Sequence, residues 1–277
     1  MKELLRILGS ILLFFLLTAV TQVGGLIYLM YRPVGWWIGR RLRPKILSVI
    51  VQLTGFLIVL SACALFVVPP IAKYFGRVPL PVRATAEEPV HPARWFYVIA
   101  NRHYVRPELR EVAVAAGQEL RTTHADANLV YLDANFPFFD DFPLLPHLSH
   151  DDGRKLDVSF AYRSMKSNTV RYDSPSWLGY GYVEGPAAGE EDWSEQCKEK
   201  GEWQYDMLSK ITRQDRPYSV DVAVTKDMIR LFLRDQRVNK LFLEPHLTRR
   251  WGLNKEPKIK FHGCHAVRHD DHLHIQL

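Results

Sequence analysis

The chain has 277 residues, with 36 Lys and Arg against 30 Asp and Glu, and three Cys. This composition is not that of a disordered or collagen-like chain, and so few cysteines exclude a small disulfide-framework protein. The net charge of +6 is unevenly distributed, because residues 1–77 contain nine basic residues and one acid, Glu3. Residues 78–277 are slightly acidic, so the basic total does not indicate a nucleic-acid partner.

Two long uncharged segments near the N-terminus predict membrane-spanning helices. Residues 7–31 and 46–72 are dominated by Leu, Ile, Phe and Val, and each exceeds the roughly 20 residues needed to cross a bilayer core as a helix. The alternative for the first segment is a cleaved signal peptide, but the apolar part of such a peptide is only about 7–15 residues long. We therefore predict a two-helix transmembrane hairpin within residues 1–77.

The placement of basic residues predicts the orientation of this hairpin. Five of them fall between the two segments, namely Arg32, Arg40, Arg41, Arg43 and Lys45. The positive-inside rule then predicts that this connection lies in the cytoplasm and that both chain ends lie outside. Residues 78–92 contain several prolines and are expected to form an extended linker. Residues 93–277 would form the extracytoplasmic domain.

The pattern after residue 92 predicts a mixed α+β domain. In chain order we expect a strand at 95–100, a helix at 107–123, strands at 128–132 and 156–162, a helix at 225–236, and strands at 238–243 and 269–277. Residues 163–215 are rich in Gly, Ser, Trp and Tyr and are expected to form a long insertion. This insertion is either a surface excursion or a wall of the functional site, with candidate lining residues Trp177, Tyr180, Tyr182 and Trp193.

Two of the three cysteines fall in the predicted extracytoplasmic domain. We expect Cys197 and Cys264 to form a disulfide, because disulfides persist in oxidising compartments. The alternatives are two free thiols, or Cys264 as a metal ligand. Cys63 falls in the second apolar segment and is expected to be a small residue within the membrane.

Histidines are concentrated near the C-terminus. All eleven follow residue 90, and five lie within the last sixteen positions. His272 and His274 are two apart on a predicted strand, so their side chains would project from the same face. Upstream, Gly153 permits a tight turn that would bring Asp157 back towards His150. Two imidazoles and one carboxylate form a three-ligand Zn²⁺ set with a fourth position open to water, as in catalytic zinc sites.

These motifs resemble a known family. His150-x6-Asp157 followed by His272-x-His274 resembles the signature of the lysostaphin/D-Ala-D-Ala/hedgehog-type zinc metallopeptidases. The additional presence of Gly153, and of His269 three residues before His272, is more specifically similar to the penicillin-insensitive murein endopeptidases. The resemblance covers about residues 95–277 without the insertion. It implies a small antiparallel-sheet zinc peptidase domain with flanking helices.

The resemblance also implies roles for individual residues. His150, Asp157 and His274 would bind zinc, and His272 would act as general base on the zinc water or stabilise the oxyanion. The second catalytic candidate is His269, as a supporting or substrate-contacting residue, and His147 could support the site in a similar way.

Asp271 occupies the position of the base in dipeptidase and carboxypeptidase relatives. We favour His272, because Asp271 is expected to point to the opposite face of the strand.

The function implied is a membrane-anchored D,D-endopeptidase that hydrolyses peptidoglycan peptide crosslinks on the periplasmic side of a bacterial inner membrane. Murein endopeptidases of this type are usually soluble, so the membrane hairpin departs from the family pattern. One alternative is a non-catalytic, zinc-stabilised binding or regulatory module, and another is a D-Ala-D-Ala carboxypeptidase. The sequence indicates no particular protein partner.

Overall fold

The computed structural model describes residues 1–210 and 217–277. It has an α+β architecture in which N-terminal helices precede a domain built on a mixed sheet. The helices are α1 (Lys2–Thr21), α2 (Gly24–Arg41), α3 (Lys45–Ala62), α4 (Val68–Ala72), α5 (Trp95–Ile99), α6 (Pro107–Thr123), α7 (Trp193–Glu199), α8 (Val222–Arg234) and α9 (Pro245–Arg250).

The strands are short, and most belong to one sheet. They are β1 (Val78–Pro79), β2 (Val90–Pro92), β3 (Tyr104–Val105), β4 (Leu129–Tyr131), β5 (Lys155–Ser159), β6 (Tyr162–Ser164), β7 (Val170–Arg171), β8 (Tyr218–Val220), β9 (Lys240–Phe242), β10 (Ile259–Lys260) and β11 (His272–Gln276). The strand order in the main sheet is β10-β9-β11-β5-β4-β2. Its central strands are antiparallel, as expected, whereas each edge strand runs parallel to its neighbour.

Within the described residues, two helical segments are long and apolar enough to cross a membrane, Glu3–Thr21 and Lys45–Phe75. The second agrees with the predicted span 46–72, because α3 continues through a π-helical turn at Cys63–Val67 into α4. The first predicted helix, residues 7–31, is wrong as a single helix. It is interrupted at Gln22, whose φ is 63°.

Glycine explains why the chain turns back at this point. A β-carbon at Gly25 would lie 2.5 Å from the carbonyl oxygen of Phe14, so only glycine lets α2 begin directly against α1. The Thr21 hydroxyl accepts a 2.6 Å hydrogen bond from the Gly24 amide and closes the turn. Hydropathy does not register this break, because both helices are apolar at the junction.

The fold-back changes the expected placement of the chain ends. The α1–α2 turn contacts the globular domain, since Asn101 donates to the Thr21 carbonyl at 3.3 Å and the Phe138 amide donates to the Gln22 side chain at 2.9 Å. The start of α1 is therefore remote from the domain, as is the basic segment at residues 40–45. The expectation that both chain ends lie on the same side is wrong for this arrangement, because α2 adds a further pass along the bundle.

Residues 78–92 are part of the domain and do not form the extended linker that we expected. Val78 pairs with Val105, and Val90 pairs with Leu129 at an edge of the main sheet. Leu80 is buried in the domain core. Proline is compatible with edge strands, because one side of such a strand needs no amide donor. A proline-rich composition therefore did not distinguish an edge strand from a tether.

The domain core lies on one face of the sheet, beneath α6 and α8. The bounds of α6 agree with the predicted helix at 107–123, and α8 begins three residues before the predicted 225. The predicted strand at 95–100 is wrong, because this segment forms the short helix α5 with Tyr97 and Val98 buried. A short apolar run fits the pattern of a buried strand and that of a buried helix equally well.

Candidate metal centre

The pairing of β5 and β11 places the chemical residues on one face of the sheet. His274 lies directly opposite Asp157 in the antiparallel register. The alternate residues, such as Leu273 and Val158, are fully buried in the core on the other face. Gly153 forms the turn before β5 with a φ of 81°, as its position in the sequence predicts.

The three predicted ligands converge on one point. His150 Nε2 lies 3.0 Å from His274 Nδ1. His274 Nδ1 lies 2.9 Å from Asp157 Oδ1, and His150 Nε2 lies 3.2 Å from the same oxygen. All three side chains are almost completely buried. Two nitrogens and one oxygen thus form a compact triangle at the sheet surface.

Hydrogen bonds orient two of these ligand atoms. His150 Nδ1 lies 2.6 Å from the Ala134 carbonyl, to which it donates, so that Nε2 is left with a lone pair. Tyr180 donates to Asp157 Oδ2 at 2.7 Å and leaves Oδ1 directed towards the imidazoles. Such outer contacts are what fix the tautomer and rotation of metal ligands.

Electrostatics keep the carboxylate charged and His274 neutral. Burial by itself would raise the pKa of Asp157, but the neighbouring imidazoles, chiefly those of His150 and His272, hold it well below its usual range. Burial lowers the pKa of His274 to about 3. An ionised carboxylate beside a neutral imidazole is the protonation state in which both groups bind metals.

His147 lies at the same centre. His147, His150 and Asp157 are all buried and have ligand atoms within 4.8 Å of one another, so this group could hold a metal ion. His147 Nδ1 lies 3.2 Å from Asp157 Oδ2 and 2.9 Å from Asp133 Oδ2. His147 contacts Oδ2 of Asp157, whereas His274 contacts Oδ1. His147 is therefore close enough to be a candidate ligand itself, and not merely a supporting residue.

His272 lies beside the triangle and has one free nitrogen. Its Nδ1 is hydrogen-bonded to Asp271, whereas its buried Nε2 has no partner among the described residues and lies 3.7 Å from Asp157 Oδ1. Burial lowers the pKa of His272, but the carboxylates of Asp157 and Asp271 outweigh burial and raise it to about 9.

Contrary to expectation, the side chain of Asp271 does not point to the opposite face of the sheet. Asp271 precedes β11 rather than lying within it, so the strand alternation does not apply to its side chain. Its carboxylate reaches the His272 ring and also accepts a hydrogen bond from the Gly181 amide. Asp271 therefore positions His272 and is itself held by the insertion.

His269 is buried and lines the pocket beside His272. Its ring centroid is 5.0 Å from that of His272, and its backbone amide donates to Glu244 Oε1 at 2.9 Å. Burial, reinforced by the neighbouring His272, lowers the pKa of His269 well below its usual range. Its buried Nδ1 has no partner among the described residues. His269 thus adjoins the site but does not contact the ligand triangle through a hydrogen bond.

The predicted insertion, residues 163–215, contributes directly to the site. It supplies Tyr180 to Asp157 and the Gly181 amide to Asp271. Of the other candidate lining residues, Tyr182 donates to the Tyr218 carbonyl at 2.8 Å, while Trp177 is exposed and Trp193 packs on Phe261. Of these four candidate lining residues, Tyr180 is the one whose contact with a predicted ligand is seen in the described part of the chain. Residues 211–216 of the predicted insertion lie outside the described part.

The expected disulfide between Cys197 and Cys264 is present, so Cys264 is not a metal ligand. It joins α7 in the insertion to the segment before β11. That segment forms one wall of a pocket that opens onto the ligand triangle. The opposite wall is the loop of the first motif, and the lining side chains outside the histidine cluster are Pro146, Leu148, Ser149, Gln204, Ala266 and Val267.

Sequence reasoning missed the ion pair between Arg102 and Asp133. Both residues are buried, and the guanidinium binds both carboxylate oxygens at 2.5 and 2.8 Å. The same carboxylate orients His147. No local motif marks Arg102, because its partner lies 31 positions away.

No protein-family model matches this chain, and no curated protein matches it. The assignment to a zinc peptidase family accordingly remains a resemblance carried by the two motifs.

Proposed function

We propose that this chain is a membrane-anchored zinc peptidase that hydrolyses peptide crosslinks of peptidoglycan outside the cytoplasm. The observation that carries the proposal is the convergence of His150, Asp157 and His274 beneath a pocket, with the free nitrogen of His272 beside them. These are the motif residues that resemble the family signature.

The donor set fits zinc. Tetrahedral Zn²⁺ with bonds of about 2.0–2.1 Å places its ligand atoms about 3.3 Å apart. The three separations among the ligand atoms of His150, Asp157 and His274 are 2.9 to 3.2 Å. When bound, zinc would polarise the scissile carbonyl and lower the pKa of water.

His272 is placed to move a proton. Asp271 accepts the hydrogen of Nδ1, so the proton that His272 gains or loses is the one on Nε2. Although burial opposes them, the carboxylates of Asp157 and Asp271 raise the pKa of His272 to about 9. Bound zinc would lower this pKa by offsetting the charge of Asp157, so that Nε2 could then accept a proton from water. The resulting imidazolium would lie close to the carboxylates of both Asp271 and Asp157, which favour its charge. His272 could then return the proton to the departing amine or stabilise the oxyanion.

The helices support a membrane location. The start of α1, with Lys2 and Arg6, and the basic segment at residues 40–45 lie at the end of the bundle away from the domain. The positive-inside rule places that end in the cytoplasm and the domain outside. A disulfide in the domain is consistent with an oxidising compartment such as the periplasm.

The test is metal analysis combined with product analysis of the full chain in detergent. The zinc-loaded protein should convert crosslinked muropeptide dimers into monomers. Release of D-Ala from uncrosslinked pentapeptides instead would indicate a carboxypeptidase. Failure to cut either substrate with zinc bound would remove the enzymatic proposal.

A non-catalytic, zinc-stabilised module is the second candidate, and the position of His147 favours it. His147 Nδ1 lies 3.2 Å from Asp157 Oδ2, near enough to supply a fourth ligand and close the site. X-ray absorption distinguishes the two, since a closed site has four protein ligands and a catalytic one retains a water. His147→Ala should then abolish zinc binding only if the site is closed.

A further inference from the structure

Exposed apolar side chains of the domain are concentrated beside the helices. In the described part of the chain after residue 77, the exposed large apolar residues are Trp95, Phe96, Phe139, Leu145, Leu148, Met165, Trp177, Trp203 and Val222. Five of them, Trp95, Phe96, Phe139, Leu145 and Trp177, are linked to one another or to the helix end by contacts. We call these five the apolar rim.

The contacts place the rim at the end of the apolar helices. Trp95 and Phe96 belong to α5, which packs against the π-helical turn Cys63–Val67. The ring of Phe139 lies 5.5 Å from that of Phe75, at the end of the second apolar segment. Trp177 joins α5 through its carbonyl, which accepts a 2.9 Å hydrogen bond from Arg94. The rim therefore continues the apolar surface of the helices onto the domain.

The same region of the helix end is itself rich in exposed aromatic side chains. Tyr74 is 90% exposed and Phe66 is 76% exposed. Lys73 lies beside Tyr74 and is also exposed. Aromatic side chains next to a basic residue at the end of an apolar helix are typical of a membrane–water interface. An exposed apolar patch that continues from such a helix is accounted for by the same interface.

The rim also adjoins the mouth of the candidate site. Arg102 lies 5.9 Å from the ring centre of Phe96 and donates to the Leu145 carbonyl at 2.8 Å. The same guanidinium binds Asp133, which in turn binds His147. Leu145 immediately precedes the loop that lines the pocket, in which Leu148 is exposed. The pocket wall and the rim are thus parts of one continuous surface.

We propose that the apolar rim lies in the interfacial layer of the membrane, and that the peptide substrate is one held at this surface by a lipid anchor. The part concerning the substrate rests on the proposed peptidase function, whereas the position of the rim does not. A pocket that opens beside the bilayer samples anchored peptides at a high effective concentration. A soluble peptide, or a crosslink distant from the membrane, gains no such advantage.

The position of the rim is tested with an environment-sensitive fluorophore on the full chain in liposomes. Cys63 is the free cysteine, so Cys63→Ala permits labelling at Trp95→Cys or Phe139→Cys while the disulfide is retained. Met165→Cys is the matched control, because Met165 is 72% exposed and is not part of the rim. Blue-shifted emission that nitroxide lipids quench at 95 and 139, but not at 165, is expected. Water-like emission at all three positions would overturn the proposal.

The nature of the substrate is tested with one crosslinked peptide prepared with and without a dialkyl lipid anchor. The full chain in liposomes should cut the anchored form with a kcat/KM at least about tenfold higher. The double variant Trp95→Ser/Phe139→Ser should lose this preference and retain turnover of the soluble form, whereas Met165→Ser should change neither. Equal rates for the two forms would overturn the substrate proposal. If the rim labels are in lipid but neither peptide is cut, the peptidase function fails while the rim assignment stands.

Discussion

His274 Nδ1 lies 2.9 Å from Asp157 Oδ1 across the antiparallel pair of β11 and β5. The sheet itself thus holds two candidate ligands that are 117 residues apart in the sequence, so the distance between them depends on strand pairing rather than on a flexible loop. A site built in this way should tolerate little change in either side chain.

Asp157→Asn is expected to abolish stoichiometric zinc binding. The asparagine amide keeps the shape of the side chain but removes the negative charge, which lies among the imidazoles of His150, His272 and His147. Zinc content measured by inductively coupled plasma mass spectrometry checks this expectation. Asp126→Asn is the matched control, because Asp126 is exposed and distant in sequence from the motifs. Equal zinc in both variants would exclude Asp157 as a ligand.

Asp271→Asn should slow turnover at least about 100-fold, because the wrong His272 tautomer would be favoured. Asp271 contacts the Nδ1 of His272 and does not belong to the ligand triangle. Zinc content and KM should therefore change little while kcat falls. A variant that loses zinc in proportion to activity would assign Asp271 to the metal instead.

Tyr180→Phe should weaken zinc binding about 10- to 100-fold. It removes the 2.7 Å hydrogen bond that holds Asp157 Oδ2 and leaves the aromatic ring in place. Competition with a zinc chelator measures the change. Tyr74→Phe, at a position that is 90% exposed, is the control. An unchanged affinity would mean that the insertion packs against the site without tuning it.

Glu244→Gln should make the domain more stable at pH 8 and have little effect on stability at pH 4.5. Burial and the neighbouring Asp270 raise the pKa of Glu244 from 4.5 to about 7. Between these values the folded state binds more protons than the unfolded state, so the free energy of unfolding falls as pH rises. The glutamine retains an acceptor for the His269 amide and can pair with Tyr205. Urea unfolding of both proteins at pH 4.5 and pH 8 measures the free energy of unfolding. If this free energy falls equally between the two pH values in the unaltered chain and in Glu244→Gln, Glu244 is not the group responsible.

Replacing both Cys197 and Cys264 by Ser should cost about 4 kcal/mol of unfolding free energy, because a long loop is released in the unfolded chain. The bond closes a separation of 67 residues and joins the insertion to the pocket wall. In the proposed peptidase, KM should rise more than kcat falls, since the wall would contact substrate while the ligand triangle is formed by other segments. Denaturant unfolding and steady-state kinetics give both quantities. An unchanged stability would show that packing alone holds the insertion.

The shared face of His272 and His274 and the turn before Asp157 could be predicted because each depends on a local rule, whereas the joining of the two motifs into one ligand set was implied by the family resemblance. Residues two apart on a strand share a face, which places His272 and His274 together. The left-handed turn at Gly153 is similarly encoded by one residue. The bounds of α6 follow from Pro107 and the apolar period after it.

The remaining features depend on contacts that the local sequence does not encode. Tyr180 reaches Asp157 only through the packing of the whole insertion. The break at Gln22 depends on how closely α2 approaches α1. The pairing of Val90 with Leu129 joins a proline-rich stretch to a sheet edge from 39 positions away. In each case the conformation of a residue depends on a partner that lies far from it in the sequence or belongs to another helix.

Digestion of crosslinked muropeptides by the zinc-loaded protein decides whether this buried histidine cluster hydrolyses peptidoglycan crosslinks, as we propose. The unaltered chain should convert dimers to monomers, whereas His272→Ala should bind an equal amount of zinc and leave the dimers intact. Dimers that remain uncut by the fully zinc-loaded, unaltered chain would contradict the account.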